Sequence, residues 1–304
     1  DVWRGDMNVR NGRRHVVGFR PGVESLKSFD GRDVVWVEVD ATDRKGALSS
    51  DSSSMLEHAA ITALDALVPL VCVMRSSGAD IVEGFSALHG WGRAAKALSD
   101  CSGVVPTVFI VDGPAVSGPA LLLGLADHVV MTESAYAFVS GPTMIAEFTG
   151  VHIDNDELGG AASHARYTGA ASLVATDLPG AIELAAQLLA YFPSHNDEEP
   201  PTWPTDDTID RLTPEAGELI PPSSTGSYDV RAVIRALADD GDLLELRPRW
   251  ASNVVTALTT GALPSKARAL ASACARASAS LRRPMTSLSR VRLDWEARSR
   301  EPCS

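Results

Sequence analysis

One order of elements occurs twice in this sequence, and it constrains the fold more than any other feature. An apolar run is followed by a loop of small residues and a stretch with helical spacing, first from VPLVCVM (68–74) and again from VPTVFIV (105–111). Runs that are apolar at every position are typical of strands buried on both faces. Because each run leads into a predicted helix, over about 81–98 and from Pro119 onward, the sequence predicts an α/β fold with a covered parallel sheet.

The composition of the 304-residue chain limits the classes of partner that it can bind. A formal net charge of −12 argues against nucleic acid or an anionic membrane as the main partner, because both require a basic surface. The four cysteines form no CxxC pair, so we predict reduced thiols and neither a disulfide framework nor a bound metal. No apolar run reaches the length of a bilayer span, and the charged N-terminus lacks a signal-peptide core, so we expect a cytoplasmic protein.

The segment DGPAVSGPALLLGLADHVVM (112–131) joins a loop without reactive side chains to an apolar stretch. Proline suits the first position of a helix, so a helix is predicted to begin at Pro119. The backbone N–H groups near Ser117 and Gly118 would then lie outside the helical ladder and could receive an anionic oxygen. An ordinary tight turn that leads into a core helix explains the same residues equally well.

The loop RSSGAD (75–80) presents a similar arrangement after the preceding predicted strand. Ser76 and Ser77 are candidate helix caps, and Gly78 allows the backbone to approach a ligand closely. An ordinary N-cap is the simpler explanation of this loop taken alone.

Several longer motifs, in order and at matching spacings, carry a resemblance to a known family. The matching segments are SSGADIVEG (76–84), SGVVPTVFIVDGPAVSGPALLLGLADHVVM (102–131), YAFVSGP (136–142), FTGVHIDNDELGGAASH (148–164), SHNDEEPP (194–201) and SYDVRAVIRALADDGDLLELRPRWASNVVTAL (227–258). Over about residues 15–258 the chain resembles the N-terminal domain of acyl-CoA carboxylase carboxyltransferase β subunits, of the acetyl-CoA and propionyl-CoA type, within the crotonase-like superfamily.

The resemblance implies a fold, a reaction and partners. The fold would be a crotonase-like spiral of ββα units. The reaction would transfer a carboxyl group from carboxybiotin to the α-carbon of an acyl-CoA, with biotin itself taking the α-proton. The biotin would arrive on a biotin carboxylase or biotin carboxyl carrier subunit, and the family's members form homo-oligomers. Backbone N–H groups would stabilise the oxyanions, which fits the absence of a Ser/His/Asp or paired-carboxylate motif.

The resemblance also implies site residues. The backbones of Gly78, Ala79, Ser117 and Gly118 would be catalytic, and the residues expected to contact acyl-CoA or biotin are Ser76, Gly141, Pro142, Gly159, Gly160 and His164. A structural hydrogen bond explains His164 equally well.

The sequence departs from the family pattern in both loops. Ser117 replaces a glycine, which would cost roughly 1 to 2 kcal/mol if the backbone there has positive φ. Asp80 replaces an arginine and would reverse a charge beside the expected CoA entrance. Asp127 and His128, at the end of the apolar stretch, are expected to cap or pair rather than to catalyse.

The resemblance ends near residue 260. We therefore predict a carboxyltransferase domain over 1–260 and an atypical tail over 261–304, rich in Ala, Ser and Arg, where the family would continue into a second crotonase-like domain. A basic helix, a shifted reading frame and a truncation all remain open for the tail. In the family each active site uses two domains from different subunits, so the chain by itself would hold half of one.

Three functions remain open at this stage. The first is the carboxyltransferase component of a biotin-dependent acyl-CoA carboxylase. The second is a crotonase-type hydratase or isomerase acting on acyl-CoA, which the LGGAASH and YDVR segments disfavour. The third is a non-catalytic fragment that binds CoA or joins a carboxylase assembly.

Overall fold

The computed structural model describes residues 31–39, 44–208, 211–223 and 225–260, together with the backbone of two short strands, β1 (Asn8–Arg10) and β2 (Arg13–His15). These two strands pair antiparallel. The predicted tail, with Cys274 and Cys303, lies outside the described residues, so the domain boundary at residue 260 stays a prediction.

A six-stranded sheet forms the centre of the first of two compact units, which runs to Thr202 and includes Glu245–Thr256. Its strands are β3 (Val35–Val39), β4 (Leu70–Ser76), β5 (Thr107–Val116), β6 (His128–Thr132), β7 (Tyr136–Phe138) and β8 (Leu173–Ala175). The strand order is β3-β4-β5-β6-β8, with β7 paired to the end of β5, and every pair is parallel. All carboxyl ends therefore lie at one edge, where loop residues converge.

The helices of this unit are α1 (Ser50–Ala66), α2 (Phe85–Cys101), α3 (Gly118–Leu122), α4 (Pro142–Thr149), α5 (Asn155–Gly159), α6 (Ala161–Ser163) and α7 (Leu178–Ala190). The side chain of Ser49 accepts a hydrogen bond from the Ser52 N–H and so caps α1, while Leu67 ends α1 in a left-handed conformation. A π-helical turn, His164–Thr168, follows α6. Among the described residues, every helix falls short of the length and apolarity that crossing a bilayer requires.

The core explains why the apolar runs form strands. Residues Leu70–Met74 of β4 and Val108–Val111 of β5 are completely buried, so both faces of these strands are covered. One face packs against α1 and α2 through small and aliphatic residues such as Leu56, Ala63 and Ala94. The prediction of an α/β fold with a parallel sheet is confirmed. Cys72 lies in this core as a free thiol.

The helix predicted from Pro119 is much shorter than its apolar content suggested. Helix α3 ends at Leu122, a 3-10 turn covers Leu123–Leu125, and the chain enters β6 at His128. Part of the apolar run therefore belongs to a buried strand, because apolar content alone does not distinguish a buried helix from a buried strand.

Of the described residues, the second compact unit comprises those between Trp203 and Leu244 and residues 257–260. It contains α8 (Pro214–Glu218) and α9 (Val230–Leu237), which pack through Ala216, Val233 and Leu237. The Arg211 guanidinium donates to the carbonyl of Ala238 at 2.9 Å. Two further short strands, β9 (Leu244–Leu246) and β10 (Thr256–Leu258), form a two-stranded sheet.

Candidate functional site

Two loops that the sequence singled out lie side by side at the carboxyl ends of β4 and β5. Ser76 is in register with Ala115, so the segments that follow leave the sheet together. A Cβ atom placed on Gly78 would lie 3.5 Å from the Val116 carbonyl oxygen and 3.7 Å from the Ser117 Cβ. The structure thus brings the two predicted loops into direct contact.

In the first loop, hydrogen bonds leave one backbone N–H group open. The Leu48 N–H donates to the Gly78 carbonyl at 2.7 Å, and the Asp80 N–H donates to the Leu48 carbonyl at 3.0 Å. This parallel bridge directs the N–H of the intervening Ala79 away from Leu48. Within the described part of the chain the Ala79 N–H has no hydrogen-bond acceptor, and the residue itself is exposed.

Gly78 and Ser76 support this loop rather than offering donors. Gly78 has a φ of +124°, a conformation that side chains rarely adopt, and its N–H contacts the Ser76 hydroxyl at 3.3 Å. The buried Ser76 hydroxyl donates to the Gly46 carbonyl at 2.5 Å. The resemblance assigns Ser76 to ligand contact, whereas the structure places its hydroxyl inside the loop.

In the second loop, one of the two predicted donors is engaged and the other is open. The Ser117 N–H donates to the Phe138 carbonyl at 2.8 Å and is therefore not available to a ligand. No acceptor for the Gly118 N–H is present among the described residues, and Gly118 is partly exposed. The open pair is thus Ala79 and Gly118. Because α3 has only five residues, the open N–H groups matter more here than a helix dipole.

Ser117 has positive φ, the backbone conformation in which a serine in place of glycine is expected to be strained. Its φ of 61° and ψ of −122° fall where glycine is strongly favoured. Two bonds hold it there, since the Ser117 N–H binds Phe138 and the Ser117 carbonyl accepts from Leu121 N–H at 3.3 Å.

Ser117→Gly is therefore expected to raise the free energy of unfolding by roughly 1 to 2 kcal/mol, because glycine adopts this conformation without the Cβ penalty. Urea denaturation measures the change. The matched control is Ser86→Gly on the exposed first turn of α2, where glycine should destabilise. A loss of stability in Ser117→Gly would contradict the assignment of strain.

The remaining predicted residues surround β7 instead of reaching the open donors. The His164 Nε2 contacts the Ala137 carbonyl at 2.7 Å, and its Nδ1 contacts the Thr168 hydroxyl at 2.8 Å. Since a carbonyl only accepts, Nε2 carries the proton, and both ring nitrogens are engaged. Gly141 and Pro142 form the N-cap and first residue of α4.

Gly159 and Gly160 are glycines because neighbouring backbone occupies the space of a side chain. A Cβ on Gly159 would lie 2.1 Å from the Ala137 carbonyl oxygen, and one on Gly160 would lie 2.7 Å from the Asp156 carbonyl oxygen. Gly159 therefore packs against β7, whose Phe138 carbonyl accepts from the Ser117 N–H, while Gly160 packs against the backbone of α5. Their contact with a ligand stays a prediction.

The sequence predicts that Asp80 reverses a charge beside the CoA entrance, but in the structure its carboxylate is buried and paired. Asp80 is only 3% exposed and forms an ion pair with Arg44, and its Oδ1 accepts from the Val82 N–H at 3.0 Å. The carboxylate is therefore neutralised inside the loop and does not present a free negative charge at the entrance.

Asp127 and His128 lie at the opposite edge of the sheet, where β5 and β6 begin. The Asp127 carboxylate accepts from both the N–H and the hydroxyl of Thr107, each at 2.9 Å, so it pairs as predicted. The ring of His128 lies 5.3 Å from that of Phe192 at a tilt of 38°, and its buried Nδ1 has no partner within the described chain. Burial lowers the pKa of His128 below the usual 6.5.

This pKa shift predicts a loss of stability in acid. The neutral imidazole is favoured in the folded state, so the unfolded chain takes up the proton first, and stability falls as the pH drops below about 6.5. His128→Gln is expected to reduce this slope, measured by urea denaturation at several pH values. Equal slopes in the parent chain and in His128→Gln would contradict the prediction.

One contact to the site was missed from the sequence. The indole Nε1 of Trp91, on α2, donates to the Gly118 carbonyl at 3.0 Å. A Cβ on Gly118 would lie only 3.0 Å from that nitrogen. Trp91 lies four residues after the buried Ala87 and therefore on the inward face of α2. This helical spacing was the sequence feature that could have pointed to Trp91.

A parallel sheet with two open backbone amides at its carboxyl edge is the arrangement expected of a crotonase-like fold whose backbone N–H groups receive an oxygen. The family model for the carboxyl transferase domain matches residues 28–260. The chain belongs to the carboxyl transferase domain family.

Named relatives agree with this assignment. The methylmalonyl-CoA carboxyltransferase 12S subunit of Propionibacterium freudenreichii subsp. shermanii is 34% identical over 227 residues, covering 75% of this chain and 43% of the relative. The propionyl-CoA carboxylase beta chain of Roseobacter denitrificans is 30% identical over 230 residues, covering 75% of this chain and 45% of the relative. The chain spans less than half the length of these curated relatives.

A solved structure supports the fold directly. The crystal structure of the transcarboxylase 12S hexamer, with hydrolysed methylmalonyl-coenzyme A bound, matches with a TM-score of 0.73 at 34% identity. The match covers 76% of this chain and 45% of that one. The crotonase-like fold predicted from the sequence is confirmed.

Proposed function

We propose that the chain is the N-terminal carboxyltransferase domain of a biotin-dependent acyl-CoA carboxylase. It transfers a carboxyl group from carboxybiotin, carried by a partner subunit, to the α-carbon of acetyl-CoA or propionyl-CoA. The observation that carries the proposal is the open pair of backbone donors, Ala79 N–H and Gly118 N–H, on touching loops of this family's fold.

The two donors suit an oxygen that gains negative charge. When the α-proton of a thioester leaves, charge moves to the carbonyl oxygen, and N–H groups fixed beforehand stabilise it without reorganising. Loss of one such donor typically costs about 3 kcal/mol of barrier, or about a hundredfold in rate. The same pair also fits the ureido oxygen of biotin, since both oxygens accept two hydrogen bonds.

The side chains around the donors support a mechanism in which this chain provides no base. Asp80 is neutralised by Arg44, and Glu83 accepts from the Ser50 N–H at 2.7 Å. Both ring nitrogens of His164 are bonded. Carboxybiotin, when bound, would supply the carboxyl group, and the ureido nitrogen left when its bond to that group breaks would be the base, so the chain needs only to orient the thioester and stabilise its enolate. A hydratase or isomerase would need an uncommitted acid or base here.

Exposed apolar residues support assembly with further subunits. Ile81, Val82 and Phe85 precede or begin α2 with at least 80% of each residue exposed, and Phe148 of α4 is 82% exposed. Apolar patches of this kind mark interaction surfaces. We assign them to a homo-oligomer that also recruits the biotin carboxylase and biotin carboxyl carrier subunits, and we place this assembly in the cytoplasm.

The decisive experiment mixes the chain with the biotinylated carrier, biotin carboxylase, ATP and labelled bicarbonate, and measures transfer of label to propionyl-CoA and acetyl-CoA. The expected result is acid-stable label on the acyl-CoA, in the presence of the second half of the subunit. Hydration of crotonyl-CoA without label transfer would overturn the proposal in favour of a hydratase. Assembly with the carrier but no transfer, even with the second half supplied, would favour the non-catalytic fragment.

A further inference from the structure

Strand β5 contains an irregularity just before the loop that carries Gly118. Met74 of β4 is paired with Val111, but Ser76 is paired with Ala115, so Arg75 alone faces the three residues Asp112–Pro114. Gly113, in the middle of this bulge, has a φ of 117°. Bulges disrupt the ladder of a sheet and redirect the chain beyond them, and they are frequent beside active sites.

The side chain of Arg75 fills the gap that the bulge opens. Its Nε donates to the backbone carbonyl of Asp112 at 3.1 Å and to the Asp112 Oδ2 at 2.8 Å, and its terminal nitrogen donates to the same oxygen at 2.6 Å. Arg75 thus provides a partner for a bulge carbonyl and neutralises the carboxylate next to it. Both side chains are more than three-quarters buried, which reduces screening by water.

The second carboxylate oxygen of Asp112 binds the next strand. The hydroxyl of the fully buried Thr132, the last residue of β6, donates to the Asp112 Oδ1 at 3.1 Å. Beyond the bulge, β5 is paired with β7 instead of β6, with Ala115 opposite Ala137 and Val116 opposite Phe138. Asp112 therefore lies where β5 exchanges one partner strand for another.

We infer that Arg75 and Asp112 are positioning residues for the oxyanion donors. Arg75 immediately precedes the loop that carries Ala79, and Asp112 begins the bulge that leads to Gly118. Their ion pair fixes the register between the two loops, and with it the separation of the open N–H groups. This inference rests on the proposed function in one respect, because the proposed function identifies the oxygen that the donor pair binds as that of a thioester.

A ligand comparison isolates the effect on the donors. Propionyl-CoA has a thioester carbonyl, whereas S-propyl-CoA is a thioether without that oxygen, so the ratio of their dissociation constants reports the hydrogen bonds from Ala79 and Gly118. Arg75→Gln is expected to weaken propionyl-CoA binding about tenfold and to leave S-propyl-CoA binding unchanged. Arg75→Lys should be intermediate, because lysine keeps the charge but not the forked geometry.

The matched control removes a different arginine from a similar ion pair. Arg93 on α2 pairs with Glu57 on α1 at 3.2 Å, away from both loops. Arg93→Gln should leave the ratio of the two dissociation constants unchanged. Where the parent chain discriminates the two ligands, an unchanged ratio in Arg75→Gln, or an equal loss for both ligands, would overturn the inference.

Amide hydrogen exchange tests the positioning without any ligand. In Arg75→Gln, exchange of the amides of residues 115–117 is expected to be about tenfold faster, while amides of α1 exchange as in the parent chain. If the parent chain fails to discriminate the two ligands but exchange still accelerates locally, the proposed function fails and the positioning role stands. Unchanged exchange at residues 115–117 would overturn the positioning role by itself.

Discussion

Gly118→Val is expected to lower carboxyl transfer about a hundredfold and to lower the free energy of unfolding by only about 1 kcal/mol. The Cβ would lie 3.0 Å from Trp91 Nε1 and 3.1 Å from Trp91 Cδ1, so the indole must move and release the Gly118 carbonyl. Rotation of that peptide misdirects the donor loop. Trp91 is only partly buried and can shift toward solvent, so most of the fold is preserved.

The measurement pairs transfer rates in the assembled carboxylase with urea denaturation of the chain. The double variant Trp91→Leu/Gly118→Val serves as the control, because removal of the indole relieves the steric conflict. It should transfer carboxyl groups faster than Gly118→Val alone. Losses of rate and stability in equal proportion, with no recovery in the double variant, would mean that the loop only supports the fold.

The strands were predictable because burial on both faces leaves an unmistakable run of apolar residues. The bounds of the strands were not predictable in the same way. Strand β4 begins after Pro69 and β5 begins after Pro106, because proline has no N–H to donate. The carbonyl of each proline nevertheless accepts a hydrogen bond from a neighbouring strand. β5 continues to Val116 through a segment that looked like a loop, because β7 supplies a new partner there.

The two loops of the site were also predictable, but the identity of the open donors was not. The sequence assigned Ser117 and Gly118 equal roles. Whether an N–H group is open depends on an acceptor from elsewhere in the chain, and Phe138 engages Ser117 while nothing described engages Gly118. Likewise, Leu48 binds the residues on either side of Ala79 and so leaves Ala79 open. Such long-range pairings follow from the fold, not from the local motif.

The glycines of the LGGAASH motif have a structural role that the sequence did not reveal. The resemblance assigns Gly159 and Gly160 to ligand contact, which stays a prediction. In the structure, neighbouring backbone excludes a side chain at both positions, that of β7 at Gly159 and that of α5 at Gly160, and β7 also pairs with the end of β5 that leads to Gly118.

Gly159→Ala is therefore expected to destabilise the chain by roughly 3 kcal/mol or more, since its methyl group would lie 2.1 Å from the Ala137 carbonyl oxygen. That carbonyl also accepts the His164 Nε2–H, so relief of the clash breaks a second contact. The control is Gly92→Ala, on α2, where a Cβ meets open space and alanine should stabilise by about 1 kcal/mol. Urea denaturation of both variants measures the contrast. If Gly159→Ala does not lower the free energy of unfolding, β7 can shift freely and does not hold the donor loop in place.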